Sequence, residues 1–116
     1  MFEILHYVTA NGVDVFGRWL DALADRQARA RIKTRIDRVS LGNFGDVEPV
    51  GEAVSELRVD WGPGYRVYFA RAGKKILILL CGGDKRTQQK DIENAKTYFQ
   101  DYKRRTEKAR PGKRAT

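Results

Sequence analysis

A chain of 116 residues has material for one domain with a single modest core. Its one cysteine excludes an internal disulfide and a cysteine-cluster metal site, and its one histidine excludes a histidine-paired hydrolase or a histidine-rich metal site. The formal charge of +8 points to an acidic partner but is concentrated at one end. Lys103 to Thr116 holds seven Lys or Arg against one Glu, a net of +6, leaving +2 (16 minus 14) for the other 102 residues.

Met1 to Thr9 mixes Phe2, Ile4, Leu5, Tyr7 and Val8 ahead of the turn pair Asn11-Gly12, which reads as a strand ending in a turn. With no basic start and no small-residue cleavage site, this segment does not look like a signal peptide, and a cytoplasmic protein is expected. His6 reads as a strand residue with a satisfied ring. From Val13 the period changes: Phe16, Trp19, Leu20 and Leu23 fall at i, i+3, i+4 and i+7, one stripe of an amphipathic helix. Asp25 restarts a second helix whose narrow apolar face is Ala28, Ile32, Ile36 and Val39. Arg29, Arg31, Lys33, Arg35 and Arg38 cover much of the remainder, and Gly42 is the stop. The tight connection implies an antiparallel helical hairpin.

Gly42 to Gly51 reads as a glycine-punctuated loop. Three strands follow, at about Ser55 to Asp60, Tyr65 to Ala70 and Lys74 to Cys81, joined by Gly62-Pro63-Gly64 and Ala72-Gly73, connections short enough to demand antiparallel neighbours. The longest apolar run, Ile76 to Cys81, is strand length and far below the roughly 20 residues of a membrane span, so no membrane partner is expected. Cys81 closes that run as a small buried hydrophobe. Gly82-Gly83 ends the sheet, and Thr87 caps a last helix with the stripe Ile92, Ala95, Phe99 and Tyr102. The expected order is β-α-α-β-β-β-α, an α+β fold in which an antiparallel sheet carries helices on one face. The single domain spans 1–105. Residues 106–116 are expected to form a basic, disordered tail, either a solubilising end or a nonspecific phosphate contact.

Strand parity locates the arginines of ELRVDWGPGYRVYF. If Leu57 and Val59 face the helices, Glu56, Arg58 and Asp60 face away; if Tyr65, Val67 and Phe69 face in, Arg66, Tyr68 and Ala70 face out. Arg58, Arg66 and Tyr68 then share the open face, and Asp84-Lys85-Arg86 delivers two further cations to one edge of it. Two readings stand: solvent-facing arginines paired with Glu56, Asp60 or Asp84, or an anion site, since guanidinium forks favour phosphate and carboxylate.

Gly62-Pro63-Gly64 lacks the Lys-Ser/Thr ending and following helix of a phosphate loop, and Gly82-Gly83 before a helix is a weak anion nest. The carboxylates form no pair suited to metal or glycosidic chemistry, so no cofactor and no metal are expected. An enzyme acting on phosphodiesters with these residues would use arginines to stabilise the added negative charge and a lysine or tyrosine of shifted pKa to move protons.

GNFGDVEPVG, then VSELRVDWGPGYRVYF, then LLCGGDKRTQQKDIENAKTYFQDYK together resemble the addiction-module killer proteins of the HigB-like branch of the RelE/ParE toxin superfamily, over Met1 to about Lys103. The resemblance implies the same β-α-α-β-β-β-α fold. It also implies a type II toxin that cuts messenger RNA on the ribosome as a metal-independent endoribonuclease, and neutralisation by a cognate antitoxin, often a helix-turn-helix protein of the same operon. The expected cleavage is attack of the RNA 2′-hydroxyl on the adjacent phosphate. By the resemblance, Arg58 and Arg66 stabilise the phosphate and Lys85 serves proton transfer or the leaving group. Tyr68, Arg86 and Gln88 then bind substrate. The same superfamily contains gyrase-inhibiting toxins, and a nontoxic nucleic-acid- or protein-binding relative is the third alternative.

Overall fold

Val15–Ala22 (α1) is helical because Asp14 starts it, the carboxylate accepting from the Gly17 N–H at 3.0 Å. Asp25 does the same for Arg26–Ser40 (α2), accepting from the Gln27 and Ala28 N–H groups at 2.9 and 3.1 Å. At the far end of α2 the chain turns out through Gly42, whose φ of +93° is the left-handed stop that glycine adopts without penalty. The computed structural model describes residues 1–109, with side chains through residue 107.

The strands are β1 (Glu3–His6), β2 (Val47–Gly51), β3 (Val54–Val59), β4 (Tyr65–Arg71) and β5 (Ile76–Asp84), and a 3-10 turn at Lys85–Thr87 leads into the last helix, α3 (Gln88–Ala109). They form one mixed sheet in the order β1-β5-β4-β3-β2. The hairpins β3–β4 and β4–β5 are antiparallel as their short turns require. β1, however, pairs with β5 in parallel, Glu3 opposite Ile76 through His6 opposite Leu79, so the sheet is not purely antiparallel. The crossover through α1 and α2 returns the chain to the sheet's far side, which permits a parallel neighbour.

The segment expected to be a loop contains β2, an edge strand antiparallel to β3. Pro49 is tolerated there because an edge strand leaves one side unpaired. Glu52 and Ala53, at φ +53° and +66°, connect β2 to β3 as a two-residue primed turn.

α1 and α2 lie on one face. Phe16 and Leu20 of α1 and Ala28, Ile32 and Val39 of α2 pack with Leu57, Val59, Val67, Phe69, Leu77 and Leu79. Each large side chain buried there contributes about 1.5–3 kcal/mol. The other face, expected to be open, is covered by α3: Ala95 and Phe99 are buried against Val54, Tyr68, Ala70, Ile78, Leu80 and Cys81, with Ile92, Tyr98 and Tyr102 alongside. The physical reason lies in the strands, whose second face is apolar enough to need a helix of its own. Tyr7 fixes the seat of α3 by stacking on Tyr98 at 5.0 Å and donating to Asp101 at 2.7 Å.

β5 supplies the spine. A bulge shifts its register between Tyr68 opposite Cys81 and Phe69 opposite Leu79, so Leu80 and Cys81 both join the α3 side. Gly82 and Gly83 do not end the sheet but continue β5 to Asp84. A Cβ on Gly82 would sit 2.3 Å from the Trp19 ring of α1, and one on Gly83 would sit 1.8 Å from the Asp91 carboxylate of α3. The two glycines therefore let helices approach the same strand from opposite faces.

The 3-10 turn is capped by Asp84, and Thr87, which immediately precedes α3, donates to the Asp91 carboxylate at 2.6 Å. α3 continues past residue 105 to Ala109, and the rest of the expected tail, 110–116, lies outside the described residues. Among the described residues, no helix is long and apolar enough to cross a membrane.

Candidate active site

The register of β3 and β4 sets Arg58 directly opposite Arg66, and Glu56 directly opposite Tyr68, on the face that carries α3. Two guanidinium groups placed across one another repel unless an anion lies between them. Glu56 is that anion. It is 1% exposed. Its carboxylate accepts from the Arg58 Nε–H at 3.1 Å, the Tyr68 hydroxyl at 3.0 Å and the Gln88 side-chain amide at 2.8 Å. Arg66 Nε lies 3.5 Å from it, an ion pair without a hydrogen bond, so that N–H is buried without an acceptor.

Burial works to raise the Glu56 pKa, but the bonds from Gln88, Arg58 and Tyr68 and the charge of Arg66 outweigh it and hold the carboxyl below its usual range. The result is an ionised, buried carboxylate that organises four neighbours. Parity had put Glu56 on the arginine face, yet a glutamate beside two arginines reads from sequence as a solvent partner. Its burial depends on α3, and only Gln88 at the start of that helix gives a hint.

Arg58 and Arg66 are thus brought together, and Lys85 joins them. Gly83 faces Arg66 and Asp84 faces Tyr65 across β4–β5, so Lys85 emerges at the same end of the sheet. A Cβ on Gly64 would lie 3.5 Å from Arg66 Nη1 and 3.9 Å from the Lys85 Cβ, placing both side chains around the Gly64 turn. Arg66 is only 12% exposed and donates from Nη1 to the Gly64 carbonyl at 3.0 Å; Arg58 is 39% exposed, and Lys85 is exposed. With Glu56 counted, the group carries +2, three cations against one carboxylate.

The remaining expected substrate-binding residues are placed otherwise. Tyr68 is fully buried under α3, which a substrate cannot reach in this arrangement. Burial first, and then the Glu56 charge, drive its pKa far above that of a free tyrosine, so it is a fixed donor and does not shuttle protons. Gln88 spends its amide on Glu56. Arg86 is 82% exposed but turned onto Asp84, donating at 3.3 and 2.8 Å. His6 has the satisfied ring expected of it, with Nδ1 bonded to Asp14 at 2.8 Å and an edge-to-face contact with Phe16. Cys81 is buried, and burial, helped by the Asp91 charge, pushes its thiol up to about 12.

The arrangement can hold one dianionic or phosphodiester group against Arg58, Arg66 and Lys85, with its geometry set from behind by Glu56. The family described as "Phage derived protein Gp49-like (DUF891)" matches residues 18–106, from α1 through most of α3. A protein of Haemophilus influenzae (strain ATCC 51907 / DSM 11121 / KW20 / Rd), itself described only as uncharacterized, is 49% identical over 86 residues, covering 74% of this chain and 87% of its own length.

Proposed function

Because the chain belongs to the phage-derived Gp49-like family, a toxin-like family of toxin-antitoxin systems, we propose that it is the toxin of a type II module, of HigB-like character, that cuts messenger RNA on the ribosome. The observation that carries the reading is the opposed pair Arg58 and Arg66, with Lys85 beside the same turn and a net charge of +2. Such a group suits the crowded negative charge of a phosphodiester under attack by its own 2′-hydroxyl. In this scheme Arg58 and Arg66 share the charge that develops on the non-bridging oxygens. The 2′-hydroxyl releases its proton to water as its oxygen bonds to phosphorus, and Lys85, the exposed member, donates a proton to the departing 5′-oxygen as the P–O5′ bond breaks, leaving a cyclic phosphate and a 5′-hydroxyl. Glu56 touches no substrate; it positions both arginines. The ribosome presents the message in register, and orientation by so large a partner supplies much of the rate that a site of this kind lacks alone.

The family also implies an antitoxin, and a small basic toxin of this type fits a helix-turn-helix partner from the same operon. Induction in a bacterial host without the antitoxin tests the proposal. Growth arrest accompanied by cleaved messages is expected. Arrest with intact messages and chromosomal double-strand breaks would transfer the protein to the gyrase-inhibiting class, and normal growth would leave only a nontoxic binding role.

A further inference from the structure

The basic face of α2 takes no part in that site. Arg31, Arg35 and Arg38 fall at i, i+4 and i+7, one helix face about 10 Å long at the rise of an α-helix. They line an open cleft of about 860 Å³ between α2 and the end of β3 that β2 leaves unpaired; its opposite wall includes Arg58, Asp46 and Asp60. Four arginines against two aspartates give the cleft a charge of +2.

Arg31 and Arg35 are held in place while their charge is left over. Arg35 donates to the carbonyls of Phe44 and Arg58 at 3.1 and 3.4 Å, bracing α2 against the strand. Arg31 lies 3.9 Å over the Trp61 ring, which is itself fixed by a 3.0 Å bond from its indole N–H to Asp25. Among the described residues no carboxylate lies within salt-bridge range of Arg31, Arg35 or Arg38. Burial, and then the charge of Arg38, hold Arg35 below the usual arginine value against the opposing pull of Asp46, as expected of a cationic wall that lacks its counter-ion.

We propose that this cleft is a phosphate-backbone groove that leads a single-stranded nucleic acid to the Arg58, Arg66 and Lys85 site, with Arg58 shared by both. The inference rests on the reading of that site as one that handles RNA. The walls favour a nucleic-acid strand over a segment of a partner protein, because the apolar side chains lining the cleft are only Ala30 and Val59. An amphipathic helix would find nothing to anchor it there, whereas forked guanidinium groups repeated along a helix face suit successive phosphates.

Fluorescence anisotropy of the full-length protein with a short labelled single-stranded RNA, repeated across a salt series, tests the groove. Each lost phosphate contact lowers the slope of log K against log salt by about 0.7 for single strands. The double variant Arg31→Gln/Arg38→Gln is therefore expected to lose about 1.4 from the slope and about tenfold or more in affinity at low salt, with its thermal midpoint kept. Lys85→Gln, outside the cleft, retains the groove's share of the slope. A folded double variant with the parent's affinity and slope overturns the proposal. So does a parent that binds poly-glutamate but not RNA, which would assign the cleft to an acidic protein segment. Groove-dependent RNA binding together with intact messages in cells supports the groove while removing the nuclease reading, so the two failures are distinguishable.

Discussion

Replacing Glu56 with glutamine removes one charge from the buried centre and leaves its shape. With its carbonyl in the Oε2 position the glutamine still accepts from Tyr68 and Gln88, but its amide nitrogen then faces the Arg58 Nε–H, and a buried donor left unpaired costs about 1–3 kcal/mol. The charge-assisted bond from Arg58 is lost in that orientation, and the facing guanidinium groups of Arg58 and Arg66 lose their intervening anion, which adds about another 1 kcal/mol. A loss of about 2–4 kcal/mol is expected, a large part of the stability of a domain this size. Urea titration at neutral pH reads it as a lower midpoint with an unchanged slope. The pH dependence supplies a sharper test. Because the folded pKa of Glu56 is depressed, its contribution is complete above the unfolded value of about 4.3 and disappears as pH falls through the folded one. The gap between parent and Glu56→Gln should therefore close on acidification, and a gap that is absent at neutral pH, or constant into acid, would refute the account of the cluster.

Three other substitutions or probes address the scaffold. Gly82→Ala drives a methyl group to within 2.3–2.7 Å of the Trp19 ring and should cost about 1–3 kcal/mol in urea unfolding, whereas no loss would deny the close seat of α1 on β5. Ala53→Gly relieves a left-handed residue in the β2–β3 turn and should raise stability by about 0.5–1 kcal/mol after the entropy cost of glycine; a lower melting midpoint would contradict the primed turn. The Cys81 thiol, raised to about 12, should resist a thiol reagent in the folded chain at neutral pH and react on unfolding, so rapid native labelling followed by mass spectrometry would count against its burial.

What the sequence made legible follows from periodicity. The stripes Phe16, Trp19, Leu20, Leu23 and Ala28, Ile32, Ile36, Val39 all reach the core, and so does Ile92, Ala95, Phe99, Tyr102. Parity sorted Leu57, Val59, Val67 and Phe69 from Arg58, Arg66 and Tyr68 correctly, because a strand has only two faces. Parity says nothing of what covers a face, however. Tyr68 and Arg66 point away from α1 and α2 and are nonetheless enclosed, since the stripe of α3 needed that side of the sheet. β2 escaped notice because VEPVG does not alternate and contains a proline, which an edge strand alone accommodates. The parallel pairing of β1 depends on the path of the crossover, which no local pattern encodes.

At the site, the arginine pair and Lys85 were legible as a group, while the centre that organises them was not. A carboxylate inside a cationic cluster becomes visible only when burial removes water as its competing partner. The same holds for the α2 cleft: the cations of that helix were plain, and the wall opposite them required the unpaired end of β3.

On the proposed reading, Arg58, Arg66 and Lys85 form the phosphate-cleaving group. Cell-free translation of a defined message, followed by primer extension and analysis of the cut ends, tests it most directly. The parent should produce discrete, ribosome-dependent cuts with 5′-hydroxyl ends. Lys85→Gln, altered at an exposed position, should keep the parent's thermal midpoint and lose those cuts by at least about a hundredfold, the lower end of a general-acid contribution. Intact messages with the parent protein, or full cleavage by Lys85→Gln, would contradict the account.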